Sequence, residues 1–371
     1  MDGTSEGKKN NQFPPPPGSA VPAPGGAVPT PGGAAPAPVS ALPVAAPLQK
    51  GSPADDDHVE TQPKKERSVR LRLLTPLSRK QWAASAAAVF VALLVVAAIA
   101  VLFARWLMGL EAVDEFVTRY PGEYALPENA PVGIPAWLGW QHFFNMFFLF
   151  LIIRTGIQIN RERRPQGYWR SKRGGKKISL TLWTHLILDL LWIINGALFY
   201  VLLFATGQWM RIIPTSWDVF PNAVSAGLQY LSLDWPTHNS WVNYNSLQEL
   251  AYFITVFIAA PLAIVTGYRL SAYWPKDNSS LNSAFPIALA RNLHFPVMVY
   301  FVVFTVIHVF LVFATGALRN LNHMYAAEDS TNWTGFVLFA LSMAVVAVAL
   351  IVVRPSLVAP LARKFGDVTA R

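Results

Sequence analysis

The stretch RNLHFPVMVYFVVFTVIHVFLVFATG, residues 291–316, is nearly unbroken hydrocarbon apart from two histidines, His294 and His308. A helix turns about 100° per residue, so side chains fourteen residues apart leave the same face, roughly 21 Å apart along the axis. Polar side chains at membrane depth are costly and need a partner. The stretch therefore predicts a membrane-spanning helix that presents two imidazoles on one face.

The composition of the whole chain agrees with a membrane protein. Of its 371 residues 53% are hydrophobic and only 14% are charged, whereas a soluble domain has about 25% charged residues. The chain has no cysteine, which excludes disulfides, iron–sulfur clusters, thiolate metal sites and covalently attached haem. The net charge of +9 is concentrated beside the apolar segments. That distribution favours the membrane surface rather than nucleic acid as the partner of the basic residues.

The first 80 residues differ from the rest of the chain. They are rich in proline, alanine and glycine, and 15 of the 29 prolines lie there. Such a segment buries too little apolar surface to offset the entropy of ordering it, so we expect a disordered tail, residues 1–80. It is either a docking tail for modules that bind Pro-rich peptides or a solvated spacer. It does not have the pattern of a cleaved signal peptide.

Six apolar segments are long enough to cross a bilayer, which predicts an all-α integral membrane protein with six transmembrane helices. The segments are residues 83–108, 136–157, 179–206, 247–268, 292–316 and 333–353. Four of them finish in Thr-Gly, a common stop signal for a helix, at residues 155–156, 206–207, 266–267 and 315–316.

Basic residues predict the orientation of these helices. The connection NRERRPQGYWRSKRGGKK, residues 160–177, holds eight Lys/Arg and one acid, and the C-terminal tail, residues 354–371, is also basic. The connections 109–135, 207–245 and 317–332 carry one Arg each. By the positive-inside rule, both termini and the 158–177 loop are expected in the cytoplasm.

Four of the seven histidines lie inside predicted helices, and the orientation sorts them by depth. His142 and His308 fall near the outer surface, and His185 and His294 near the inner surface. Paired neutral imidazoles from facing helices are typical ligands of haem b, in which the iron accepts a nitrogen from either side. The sequence therefore predicts two bis-histidine haems b, one above the other, in a four-helix bundle.

Other interpretations of the histidines stay open. Met146 and Met298 lie four residues after His142 and His294 and are alternative axial ligands. The chain could instead be a proton-coupled transporter that uses intramembrane histidines and Asp189, or a haem-free membrane anchor. The remaining histidines, His58, His238 and His323, lie outside the predicted helices and are expected on the surface.

Three charged residues near the inner level are candidates for a supporting role. Asp189 follows His185 by one turn, and it either relays protons or forms a hydrogen bond with a neighbouring helix. Arg154 and Arg291 flank the inner level. They either bind haem propionates through paired hydrogen bonds or extend to the lipid headgroups.

Three polar residues near the outer level are candidates for a quinone pocket. Gln248 and Glu249 open the fourth predicted helix, and Asn145 lies at a similar depth on the second. A carboxylate there could take up the protons of quinol oxidation. A preference for acids at a helix N-terminus also explains Glu249 without chemistry.

The arrangement of the four histidines resembles that of a known family. One histidine lies in each of two early helices, and a His-x13-His pair lies in a later helix. The arrangement is similar to that of the bacterial b-type cytochromes grouped as cytochrome b561 and the cytochrome b subunits of hydrogenase, formate dehydrogenase and thiosulfate reductase. The resemblance covers about residues 136–320, and the helices at 83–108 and 333–353 fall outside it. It implies the pairings His142/His308 and His185/His294.

The same resemblance suggests a role in electron transport. It implies a subunit of the bacterial cell membrane that links a quinone, such as menaquinone, to a catalytic redox partner, often a molybdenum enzyme or a hydrogenase. The chain has no nucleotide-binding motif of its own. An electron-transfer subunit is therefore favoured over a stand-alone enzyme.

Overall fold

The computed structural model describes residues 78–235 and 239–370. The expectations for His58, for His238 and for nearly all of the 1–80 tail lie outside the described residues. Within them the chain is mainly helical, and six helices are long and apolar enough to cross a membrane. This confirms the predicted fold class.

The six long helices match the six predicted spans to within five residues at either end. Their bounds are α1 Arg79–Met108, α3 Ala136–Arg161, α4 Leu180–Ala205, the continuous helix Ser246–Leu270, α9 Ile287–Ala314 and α11 Thr334–Val352. The fourth consists of α6 Ser246–Phe253, a π-helical turn Ile254–Ala259 and α7 Ala260–Leu270. π-Helical turns are often found at functional sites.

Short-range sequence chemistry explains where several of these helices begin. Ser78 caps α1 and Asn245 caps α6, and in both helices a glutamine three residues later completes a capping box. Ser179 caps α4 by accepting a hydrogen bond from the Leu182 amide. A side-chain oxygen at this position satisfies one of the amides that a helix N-terminus leaves unpaired.

Four helices share one apolar layer halfway along the bundle. Its buried residues are Ala259, Val297 and Phe301. Partly buried residues from α3, α4 and α7 pack against them, namely Leu149, Ile153, Trp192, Ala260, Leu262 and Ala263. The layer thus joins α3, α4, α7 and α9 in one core. By contrast, α1 buries only Ala104, near the end where Arg105 donates to the Ser232 carbonyl.

Shorter helices and one small sheet complete the described structure. The helices are α2 Glu111–Arg119, a 3₁₀ turn Gln208–Arg211, α5 Val219–Ser232, α8 Ser279–Ala284, α10 Ala317–Leu321 with a π-helical turn Asn322–Ala326, and α12 Pro355–Phe365. The strands are β1 Gly167–Ser171, β2 Ile178–Ser179 and β3 Gly366–Ala370, in the antiparallel order β2-β1-β3.

The small sheet was not predicted, and it joins the two basic segments of the sequence. Residues of the 158–177 loop form β1, which pairs with β3 from the C-terminal segment. The Trp169 indole donates to the Ala362 carbonyl at 3.1 Å and packs on Trp183. The C-terminal segment is therefore folded against the basic loop, on the same side of the bundle. Below, "inner" means the end of the bundle that carries this sheet, and "outer" means the opposite end.

Candidate haem-binding site

The outer histidine pair faces across the bundle. His142 on α3 and His308 on α9 have ring centroids 6.2 Å apart, with the ring planes at 53°. Metal–imidazole bonds are about 2 Å long and a ring centre lies about 1 Å behind its nitrogen, so two rings that share one metal have centres about 6 Å apart. The residues therefore fit an iron held between these two rings.

Aromatic side chains surround the outer pair. Phe304 stacks on His308 with centroids 5.6 Å apart, and Tyr252 meets the same ring edge-on at 6.3 Å. Tyr325 meets His142 edge-on at 6.0 Å. The Nδ1 atom of His142 is buried and has no hydrogen-bond partner among the described residues. The surroundings of this pair suit a flat apolar ligand.

The inner pair is held by hydrogen bonds from neighbouring helices. The Thr155 hydroxyl on α3 lies 2.8 Å from Nδ1 of His185 on α4. The Thr266 hydroxyl on α7 lies 2.9 Å from Nδ1 of His294 on α9. In both histidines these bonds leave the other ring nitrogen, Nε2, for a ligand. The Asp189 carboxylate, one turn along α4, lies 3.7 Å from Nε2 of His185.

A glycine follows each of these threonines and lies against the same ring. A Cβ atom added at Gly156 would lie 3.4 Å from Cε1 of His185, and one added at Gly267 would lie 3.4 Å from Cε1 of His294. Both distances are at the short limit of ordinary contact. Each Thr-Gly pair therefore forms a seat for one imidazole ring.

Two of the four Thr-Gly pairs were wrongly predicted to end helices. Helix α3 continues past Gly156 to Arg161, and α7 continues past Gly267 to Leu270. All four threonines bond to a carbonyl of the preceding turn, so the threonine does not decide whether the helix ends. The difference lies in the glycines, since Gly207 and Gly316 adopt a positive φ and Gly156 and Gly267 do not. The prediction is right for the other two pairs, where Thr206 and Thr315 are the C-caps of α4 and α9.

The apolar layer halfway along the bundle lies between the two histidine levels. On α9, Val297 and Phe301 fall between His294 and His308, and the Trp192 ring of α4 meets Phe301 edge-on at 6.3 Å. The Trp192 indole donates to Asn145 Oδ1 at 3.1 Å. Packed side chains therefore separate the two histidine pairs.

The two arginines named from sequence take different positions. Arg154 donates from Nη1 to the carbonyl of Val353, the C-cap of α11, at 2.5 Å. Arg291 is exposed on α9. Arg154 therefore binds the last carbonyl of a neighbouring helix. The Arg291 side chain lies on the exterior of the bundle.

The three residues proposed for a quinone pocket do not share partners. Gln248 completes the capping box of α6 with Asn245, and Asn145 binds Trp192 in the bundle interior. Glu249 is buried, and its Oε1 accepts a hydrogen bond from the Tyr124 hydroxyl at 2.8 Å. Tyr124 also lines an outer cleft of about 550 Å³, together with Leu126, Val132, Val242 and Asn243.

The prediction that His323 lies on the surface is wrong. It is 2% exposed, its Nε2 lies 2.8 Å from Asp329 Oδ1, and its Nδ1 lies 3.2 Å from the Ser240 hydroxyl. Asp329 also accepts two hydrogen bonds from Arg319. Hydrogen bonds from Arg319 and His323 hold the pKa of Asp329 below its usual range. The sequence around His323 does not indicate its contacts with Asp329 and Ser240, because these residues come together only when the connections fold.

Arg211, a fully buried guanidinium at the outer end, was not among the site residues predicted from the sequence. It is 1% exposed and donates to the carbonyls of Gly133 and Ser240. Its guanidinium lies over the Tyr244 ring at 4.5 Å, and Tyr244 packs on Tyr252, which contacts His308. Among the described residues no carboxylate pairs with this charge. Arg211 is the one Lys/Arg residue of the 207–245 connection. That isolated charge was the sequence feature that could have indicated it.

Comparison with known proteins agrees with this geometry. No curated protein and no solved structure matches the chain. The family model described as prokaryotic cytochrome b561 matches residues 133–326, a range that includes all four of these histidines. The chain therefore belongs to the prokaryotic cytochrome b561 family, a membership that implies haem b binding and electron transfer across the membrane.

Proposed function

We propose that the chain binds two haems b, one between His142 and His308 and one between His185 and His294, and carries electrons between the two membrane surfaces. The observation that carries the proposal is the 6.2 Å separation of the outer rings, which suits a shared iron. The Nδ1 hydrogen bonds of the inner pair support the second site, because they leave both Nε2 atoms for a metal.

Haem supplies a one-electron carrier wherever it is bound. The residues of this chain provide the ligands, fix their orientation and keep water out of the bundle. The apolar layer around Phe301 and Trp192 separates the levels without adding a charge between them. Members of the layer also fix the helices that carry the ligands, since α3, α4, α7 and α9 all contribute to it.

Arg211 is our candidate for binding the propionates of the outer haem. A buried guanidinium without a carboxylate partner is costly, and a carboxylate-bearing ligand would neutralise it. Its contact with Tyr244, and through Tyr252 with His308, brings it to the outer ligand pair. For the inner haem, Arg154 and Arg291 stay the candidates.

A quinone is our proposed partner at the outer end. The cleft beside Tyr124 is within the size range of small-molecule sites, and most of its lining is apolar. Tyr124 connects the cleft to Glu249 through a hydrogen bond, so Glu249 can take up a proton released there. Asn145 and Gln248 have other partners, and Asp189 stays a candidate proton relay at the inner level.

The family and the distribution of basic residues also suggest where the protein lies in the cell. We propose a bacterial inner-membrane subunit with both termini in the cytoplasm, in which residues 136–320 form the haem-binding bundle and the helices at 83–108 and 333–353 are additions to it. The pairing of the basic loop with the C-terminal segment supports a common side for both. A soluble oxidoreductase, of the molybdenum or hydrogenase type, is the proposed redox partner.

A reduced-minus-oxidised visible spectrum of the purified protein tests the proposal. We expect low-spin bis-histidine haem b with two components in a redox titration. A colourless protein, or a single component in a fully loaded sample, would contradict it. For the quinone, Glu249→Gln should slow haem reduction by a quinol but not by dithionite, with Glu128→Gln in the same cleft as control.

A further inference from the structure

Thr155 and Thr266 make the same contact on opposite sides of the inner level. Both are buried, at 1% and 0% exposure, and both lie on helices that do not carry the ligand they touch. Each is followed by the glycine that lies against the ring of the same histidine. This repetition on α3/α4 and on α7/α9 indicates a device for holding imidazoles rather than two unrelated hydrogen bonds.

The direction of each hydrogen bond follows from counting protons. The Thr155 hydroxyl has one proton and donates it to the Leu151 carbonyl at 2.8 Å, within its own helix. The Thr266 hydroxyl likewise donates to the Leu262 carbonyl, at 2.6 Å. With its own proton so placed, each threonine oxygen accepts from the histidine, and the carbonyls of Ile152 and Ala263 are further acceptors for the same two rings. The imidazole proton is therefore on Nδ1 and the lone pair is on Nε2.

This arrangement has a consequence for an iron bound at Nε2. An imidazole that donates a hydrogen bond from Nδ1 is a more basic ligand, and a more basic ligand stabilises the more positive, ferric state. At the outer level, the Nδ1 of His142 has no such acceptor among the described residues. The two levels therefore differ in a feature that sets the potential of a haem.

We propose that Thr155 and Thr266 are positioning residues that fix the proton of His185 and His294 on Nδ1, turn both Nε2 atoms toward one iron and lower the midpoint potential of the inner haem. The inference rests on the proposed inner site. It adds two residues to that site and the direction in which they change the potential. Neither threonine touches the metal, since both act through a ligand.

The test is a redox titration of the full-length Thr155→Val and Thr266→Val proteins, followed by visible absorbance. Valine keeps the shape of threonine and removes the hydroxyl acceptor, which leaves the backbone carbonyl of Ile152 or Ala263 as the acceptor nearby. In each variant we expect the midpoint potential of one haem component to rise by about 59 mV. This corresponds to about a tenfold shift of the one-electron equilibrium toward the ferrous state. The other component should stay in place.

Matched controls separate this effect from a loss of helix stability. Thr184 is buried beside His185, and Thr305 lies three residues before His308; both donate to a carbonyl of their own helix, to Leu180 and to Phe301. Thr184→Val and Thr305→Val should leave both potentials unchanged. Thr155→Ser and Thr266→Ser keep the acceptor and should return the shifted component to its original potential.

The outcomes distinguish the inference from the function it rests on. If His294→Ala leaves the haem content unchanged, the inner site itself is wrong. If His294→Ala removes one haem but the two valine variants leave both potentials in place, the site stands and the role of the threonines is overturned. The role of the threonines would also be overturned if the same shift in potential occurred in Thr184→Val, in Thr305→Val or in the serine variants.

Discussion

The inner and outer histidine pairs differ in what holds them. Polar contacts fix the inner rings: each Nδ1 meets a threonine hydroxyl of a neighbouring helix at 2.8–2.9 Å. Rings surround the outer pair: Phe304, Tyr252 and Tyr325 lie against its imidazoles. The two pairs therefore have different electronic surroundings, which under the proposed function would give the two haems unequal potentials.

The two pairs also depend on different parts of the chain. The inner contacts come from within the long helices. The outer ones use residues next to π-helical turns and connections: Tyr252 precedes the turn Ile254–Ala259, Tyr325 lies in the turn Asn322–Ala326, and Arg211 follows α4. We therefore expect the outer site to respond more strongly to changes in the connections.

The largest effect should come from removing one ligand of each pair. His308→Ala should lose the outer haem and keep the inner one, and His294→Ala should do the opposite, because each imidazole serves one iron only. The measurement is haem per polypeptide by visible absorbance, which should fall by about half in either variant. His58→Asn, at a histidine outside the described residues that we do not assign as a ligand, is the control. Loss of both haems in one single variant would break the distinction between levels.

Replacing the buried cation should weaken the outer site next. Arg211→Gln removes a donor from the carbonyls of Gly133 and Ser240. Gln208 still donates to Gly133, so the Ser240 carbonyl is the group left unpaired, at a cost of about 1–3 kcal/mol. Removing a positive charge should also lower the potential of the outer haem. Thermal unfolding in detergent and a redox titration measure the two effects. Arg119→Gln, on α2, is the control, and a change confined to the inner component would contradict the assignment.

The connection that carries Tyr325 should lose stability in acid. The pKa of Asp329 is lowered in the folded protein by Arg319 and His323, so this carboxylate stabilises the fold above its unfolded pKa of about 3.9. That contribution is lost as the pH falls through the lowered folded pKa. Asp329→Asn should therefore destabilise the protein at pH 7 but not at the acid end. Thermal unfolding of both proteins across this range is the measurement, and an equal difference at every pH would refute it.

The smallest effect should come from the glycines of the inner seats. Gly156→Ala places a methyl group 3.4 Å from Cε1 of His185, at the short limit of van der Waals contact, so the ring loses its room to move toward α3. We expect a small change in the inner haem spectrum with the haem retained. Gly196→Ala in α4 meets nothing within 4 Å and should leave the spectrum unchanged. A larger effect in Gly196→Ala than in Gly156→Ala would argue against the seat.

Much of the fold could be predicted because bilayer thickness imposes length and hydropathy on a helix. The six spans and the depth sorting of His142 and His308 followed from local patterns of this kind. The sheet between β1 and β3 could not be predicted, since it joins segments almost two hundred residues apart that have no alternating pattern. The threonine contacts were also missed, because Thr155 and Thr266 look like helix stops until the neighbouring helix is in place.

The ratio of haem to polypeptide in the purified full-length protein tests the central claim most directly. Two haems b per chain, both low-spin and falling to one in His308→Ala, is the result we predict. A ratio of one in the fully loaded protein, or a ratio that His308→Ala leaves unchanged, would contradict it.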